Sequence, residues 1–176
     1  MSSSSSSAET TKPAETAGAA AEAAVAKDEK IVLRSSDGVE FVVDVAVARM
    51  SKTISNMIDD DCVGGGVQLP VVGSGVLSTV LEYLAKKHGA AAEAFKEFEA
   101  EFFGRLVDDR AALFEVILAA NFLDAQELLG AAFQRTADRI KDMTVEEVRE
   151  YFGVANDFTP AEEEAIRKEN AWAFDA

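Results

Sequence analysis

From Lys30 the chain reads in steps of two. Ile31 and Leu33 alternate with Val32 and Arg34, and Val39, Phe41 and Val43 alternate with Glu40 and Val42. Side chains two apart share a strand face, so both runs predict half-buried strands. Ser35-Ser36-Asp37-Gly38 lies between them and supplies a glycine for positive φ, which predicts a β-hairpin. A short third strand fits "VQLP" at Val67–Pro70, where proline suits a strand end.

Elsewhere the period lengthens toward 3.6. Ser51 is placed to cap a helix with Ile54, Met57 and Ile58 inward. "SGVLSTVLEYLAKKHG" spaces Leu77, Val80, Leu81 and Leu84 along one face; Lys86, Lys87 and His88 complement its C-terminal dipole, and Gly89 suits its stop. Ala90–Phe103 is open between a helix and a linker that docks aromatic anchors. Leu113–Leu123 is apolar on nearly every side, which predicts a buried central helix with Asp108–Asp109 at its start. Asp124 and Glu127 have capping-box spacing for the next helix, whose inward face is Ala125, Leu128, Leu129, Ala132, Phe133 and Ile140. Thr144 and Glu147 repeat the box for a short helix with Val145, Val148 and Phe152 inward and Gly153 as stop. Thr159, Pro160 and Glu162 open the last helix, which offers the i,i+4 pairs Glu163–Arg167 and Glu164–Lys168. Its apolar stripe is thin: Ala161, Ala165, Ile166 and Trp172.

Composition adds a tail, a charge and a short list of exclusions. The chain has 176 residues, 48% of them apolar, enough to build a core. Residues 1–29 carry almost no large apolar side chain, so they are expected to lack order, with Ala19–Ala26 a transient helix. The net charge is −15; five acids and two bases in that tail give −3 and leave −12 for the remainder. Such a field repels phosphate backbones and anionic lipid, excludes nucleic acid as the expected partner, and favours a basic protein. No apolar stretch approaches the 18 residues of a membrane span. Met1 is followed by six serines, not by the basic and apolar segments of a secretory signal.

The residues of a catalytic set are missing. His88 is the only histidine and sits among lysines at a helix end, so it reads as a surface residue. Cys62 is the only cysteine, which excludes an intrachain disulfide, fits a reducing compartment and reads as a loop thiol. No Cys/His cluster has zinc spacing. The flexible acidic loop "DDDCVGGG" lacks the alternating acids and terminal glutamate of a calcium loop, and its glycines precede a strand, unlike a phosphate loop. No catalytic residue, metal, cofactor or small-molecule substrate is expected. Contact surfaces are the positive signal. Trp172, the only tryptophan, and Phe174 end a polar helix close to Arg167. Aromatics beside an arginine are typical interface anchors, the alternative being that they tuck back onto the domain. Phe122, next to Asn121, is open in the same way between core and surface.

"SSDG" after a strand, "LP" at Leu69–Pro70, "LFEVILAANFLD" and "TVEEVREYFGVANDFTPAEEEAIRKENAWAF" together resemble the S-phase-kinase-associated-protein-one (Skp) family, the adaptors of SCF ubiquitin ligases. The likeness covers roughly residues 30–174, and "YLAKKHG" and "WAF" look most like plant members. It implies an α+β, mostly helical fold. A BTB/POZ-type domain with a small three-stranded sheet would occupy 30–125, and C-terminal helices 126–176, after the 1–29 tail. It implies a non-catalytic adaptor in nucleus and cytoplasm that bridges a cullin scaffold to F-box proteins, which carry the substrates. Asn121 and Phe122 match the cullin-contacting Ala-Ala-Asn-Tyr-Leu-Asp segment, with phenylalanine in place of its tyrosine. The F-box surface would take Val148, Phe152, Ile166, Asn170 and Trp172, with Arg167 beside them. The other departures are Phe98 in place of the tryptophan of W-D-A-E-F, expected to slacken the linker, "VDDRAA" in place of V-D-Q, and the tail. The alternative function is a POZ-fold protein that binds F-box proteins outside a cullin ligase.

Overall fold

The computed structural model describes residues 29–107 and 109–173. The expected disorder of the tail (apart from Glu29), the start role of Asp108 and the anchor role of Phe174 lie outside these residues. Strands β1 (Lys30–Arg34) and β2 (Glu40–Asp44) form the predicted hairpin, with Ile31 opposite Val43 and Leu33 opposite Phe41. Strand β3 (Val67–Gln68) lies on the other side of β1, giving the order β2-β1-β3. It runs parallel to β1, with Leu33 opposite Val67. A parallel neighbour needs a crossover, and α1 (Val45–Ala48) and α2 (Lys52–Asp59) supply it. Gly66 enters β3 with φ of 86°, a torsion that favours glycine, and a Cβ there would press on the Val32 carbonyl oxygen at 3.2 Å.

Helix α3 (Ser74–Gly89) buries Leu77, Val80, Tyr83 and Leu84 in one core with Leu33, Val67 and Leu69 of the sheet region. It ends at Ala90 in extended backbone rather than through a left-handed Gly89. The segment left open between helix and linker is a helix, α4 (Ala92–Val107). Phe95, Phe102 and Phe103 are buried around Tyr83, with ring centroids 5.3, 5.3 and 6.2 Å from it. Tyr83 donates to Glu99 at 2.7 Å; burial first, then this bond, pushes the phenol pKa up. Phe98 packs 5.6 Å from Phe102 and 6.1 Å from Phe95, so the expected slack linker is instead an aromatic-clamped helix.

Helix α5 (Arg110–Phe122) begins at Asp109, whose carboxylate accepts the Ala112 N–H. It buries Leu113, Val116, Ala119 and Ala120, but Leu118 is 67% exposed, which corrects the expectation of burial on nearly every side. Its C-terminus docks on the start of α2. The Ser51 hydroxyl donates to the Leu123 carbonyl (2.5 Å), Thr53 Oγ1 to the Phe122 carbonyl (3.0 Å), and the Lys52 N–H to the Asp124 carbonyl (3.3 Å). Carbonyls that a helix end leaves orphaned thus meet the donors at another helix's start. That join holds Asp124 at φ of 49°. Its carboxylate accepts the Gln126 side-chain amide and caps nothing, so the Asp124–Glu127 capping box is absent and α6 (Gln126–Ile140) starts at Ala125 without a side-chain cap.

Helix α6 buries Leu128, Leu129 and Ala132 behind buried Ala125. Phe133, expected on that face, is 54% exposed, and Ile140 is half-buried. One residue past Ala132 is a rotation of about 100°, which carries Phe133 off the narrow buried stripe. Helices α7 (Val145–Phe152) and α8 (Pro160–Glu169) open with the predicted capping boxes, Thr144–Glu147 and Thr159–Glu162. Gly153 closes α7 at φ of 68°. Neither helix buries a residue, so Val145 and Phe152 are exposed and Val148 half-buried rather than inward. A 3-10 turn, Ala171–Ala173, follows α8.

Candidate functional site

Two apolar surfaces stand open. The first is a groove of about 770 Å³ between the β3–α3 connection and α5. Val71, Val76, Leu106, Leu118, Val116 and Phe122 give its apolar lining, and Asp37, Ser74 and Glu115 its polar part. Val71 is 68% exposed, as extensively as Leu118. Phe122 is half-buried: its carbonyl is held by Thr53 while its side chain lines the groove, so it serves core and surface together. Asn121, the residue before it in the same last turn of α5, is exposed and is not part of the lining. Sequence reasoning missed Val71 and Leu118. The available signal was an excess: a helix apolar all round needs neighbours all round, and this chain leaves the face of α5 around Leu118 open.

Charge at the groove is fixed by hydroxyls. Hydrogen bonds from Ser35 and then Ser74 hold the Asp37 carboxyl below the usual carboxylate range. The Ser74 N–H adds a bond at 3.0 Å, tying the hairpin turn to the start of α3. An apolar trough with an acid at its edge suits an apolar segment flanked by basic residues.

The second surface is the α7–α8 region. Phe152 stacks on Phe114 of α5 at 5.8 Å with 7° between planes, and Tyr151 meets Phe114 edge-on at 6.0 Å. Arg149 of α7 reaches Glu163 of α8 at 3.0 Å, which holds the Glu163 carboxyl below its usual range. Among the described ion pairs Glu163 therefore pairs across helices, where Arg167 was expected, and Glu164–Lys168 does not form. Arg167 is exposed. Asn170 is half-buried, and its side-chain amide donates to the Ile166 carbonyl at 2.9 Å, closing α8. Ile166 is exposed, and Trp172 is 80% exposed, so the tryptophan does not tuck back onto the domain. Val154 and Phe158, in the α7–α8 connection, add exposed apolar area that sequence reasoning missed. Their signal was two large apolar residues in an otherwise polar link.

Neither surface gathers chemistry. Among the described residues no group of histidine, cysteine, aspartate and glutamate is arranged to hold a metal ion, and no helix is long and apolar enough to cross a membrane. Cys62 is an exposed free thiol, and His88 lies exposed in the last turn of α3.

Comparison with known proteins points to one family. Residues 29–89 match the model described as the Skp1 family tetramerisation domain, and residues 126–173 match the Skp1 family dimerisation domain. SKP1-like protein 14 of Arabidopsis thaliana is 51% identical over 148 residues, which is 83% of this chain and 97% of the relative. SKP1-like protein 1A of the same plant is 47% identical over 160 residues, covering 83% and 98%. SKP1-like protein 1 of Oryza sativa subsp. japonica is 45% identical over 175 residues, covering 87% and 99%. With this identity along nearly the whole length of these relatives, and an α+β, mostly helical fold that opens on the expected three-stranded POZ sheet, the chain belongs to the Skp1 family.

Proposed function

We propose that the chain is a non-catalytic adaptor of an SCF ubiquitin ligase, with its POZ part (30–125) docking a cullin and its C-terminal helices (126–176) receiving an F-box protein. One observation carries the reading. Helices α7 and α8 are strongly specified by their own caps yet bury no residue, and they leave Phe152, Ile166 and Trp172 open. Elements that fold locally and expose apolar side chains are built for completion by another chain. The family supports the two partner classes, and the groove at Phe122 supplies a second, separate surface for a second partner. Val148, Phe152, Ile166, Arg167, Asn170 and Trp172 are proposed for the F-box side, Asn121 and Phe122 for the cullin side, and nucleus and cytoplasm as the compartments.

The test is reconstitution. The purified chain is mixed with a cullin N-terminal segment and an F-box protein, and a ternary complex is expected by size-exclusion chromatography. Asn121→Lys with Phe122→Lys is expected to remove cullin and spare the F-box protein. Retained cullin affinity in the folded variant would sink the assignment. Phe122 also favours a second reading, an F-box partner outside a cullin ligase, because it lacks the hydroxyl of the family's tyrosine. Phe122→Tyr separates the two: cullin bound by both forms supports the ligase adaptor, and cullin bound only by the tyrosine form supports the second reading.

A further inference from the structure

We propose that Arg110 is a positioning residue that orders α7 before the F-box partner arrives; the partner's identity rests on the function proposed above. Arg110 is the first residue of α5, inside the segment "VDDRAA" that departs from the family pattern. A cation is misplaced there for its own helix, since the N-terminal end of the dipole is positive. Its gain is elsewhere. Nη1 donates to the Tyr151 carbonyl at 2.6 Å and to the Glu150 carbonyl at 2.9 Å, both in the last turn of α7. The cation thereby sits at the negative end of the α7 dipole and serves carbonyls that a helix end leaves short of donors.

The end of α7 is otherwise thinly held. The Gly153 N–H reaches the Glu150 carbonyl at 3.1 Å and the Val154 N–H the Arg149 carbonyl at 2.8 Å; neither serves Tyr151. With no buried residue, α7 rests on Phe114, which stacks Phe152 and meets Tyr151 edge-on. Phe114 lies four residues after Arg110, hence on the same face of α5. One face of α5 thus grips one end of α7 with a cation and a ring. The ring contact fixes position but leaves freedom to rotate and fray. The two hydrogen bonds fix the helix direction, and with it the presentation of Val148 and Phe152. Where only a fraction of molecules is ordered for binding, apparent affinity falls by that fraction.

The test uses the full chain, a synthetic F-box segment as probe, and the variants Arg110→Ala, Arg110→Lys and Arg105→Ala. Arg105 pairs with Glu82 at 3.0 Å and is the equal-charge control away from α7. Hydrogen exchange of the Gly153 and Val154 amides in free Arg110→Ala is expected to be about tenfold faster, with protection restored when the probe is bound. Calorimetry is expected to give a three- to tenfold weaker probe affinity, about the weight of a partly exposed charged hydrogen bond. Arg110→Lys keeps the charge and its N–H donors on a shorter side chain without the planar fork and should recover part of both effects; Arg105→Ala should show neither. Unchanged exchange in Arg110→Ala, or faster exchange with unchanged affinity, overturns the positioning role while the adaptor reading stands. Failure of the unmodified chain to bind the probe overturns the adaptor reading and the partner named here, whatever the exchange shows about the α5–α7 contact.

Discussion

Trp172 shows how much a single side chain can carry. A tryptophan that is 80% exposed adds almost nothing to the free fold, so its presence has to be explained by what it meets. Truncated aromatic anchors typically weaken an interface by about 2 kcal/mol or more. Trp172→Ala is therefore expected to weaken F-box binding roughly 30-fold, measured by calorimetry, while shifting Tm by no more than a degree or two. Tryptophan emission should report water in the free chain and move to the blue on binding. A fall in Tm of several degrees would make it a core residue. This residue was legible in the sequence because a large apolar side chain in a polar run has no local explanation. Asp124 was not legible. Its spacing to Glu127 satisfies the capping rule, but the grip of Ser51, Lys52 and Thr53 on residues 122–124 turns it left-handed, and that grip spans about seventy residues. Phe133 failed for a subtler reason: the helix period set its direction correctly to within one position, and one position was enough to leave the stripe.

At the level of elements, capping was the most legible feature, because a cap is chemistry within four residues. Both C-terminal boxes are present, and both depend on ionised glutamates. The Thr144 backbone N–H and then its hydroxyl lower the Glu147 pKa, and the Thr159 hydroxyl and then its backbone N–H lower that of Glu162. A carboxyl lowered in the folded state contributes stability that is present above its unfolded value and is lost as pH falls through its folded value. Helices α7 and α8 are therefore expected to loosen first on acidification below the ordinary glutamate value of about 4.3. Hydrogen exchange at residues 145–169 between pH 6 and 3, corrected for intrinsic rates, should show this loss before the β1–β2 hairpin opens. Simultaneous opening would mean that the boxes do not set the order. Helix α4 was half legible. Its acids and phenylalanines allow either helix or linker, and what decides is Tyr83, which belongs to a different element.

The whole molecule carries −15, with −12 outside the tail, and this part of the reading needed no coordinates. Distant charges are screened beyond about 8 Å at physiological salt, so the field acts mainly on encounter. Association with a basic partner is expected to slow by about tenfold between 0.05 and 0.5 M salt, read by stopped-flow, with dissociation nearly constant. A salt-independent association rate would remove electrostatic steering from the account. What the sequence could not show at this scale is the strand order, since β3 joins β1 across a crossover and no local period encodes a parallel partner. The groove was hidden for the same reason: Val71 and Phe122 are fifty-one positions apart and become neighbours only through the core.

The bare surface of α7 and α8 also bears on how the free molecule meets a protease. Arg167 and Lys168 lie exposed on a helix with no buried residue, so trypsin needs only local opening to cut there, whereas the core must unfold globally. Within residues 30–173, brief digestion is expected to cut in the C-terminal segment before the part from Lys30 to α6, and an F-box partner at saturating concentration should abolish that cut. Equal cleavage with and without partner would show that the helix is not covered. If the partner does cover the cut, as the function proposed above requires, a protease that reads open helices would clear unpaired copies first, which would match the amount of the chain to the supply of its F-box partners.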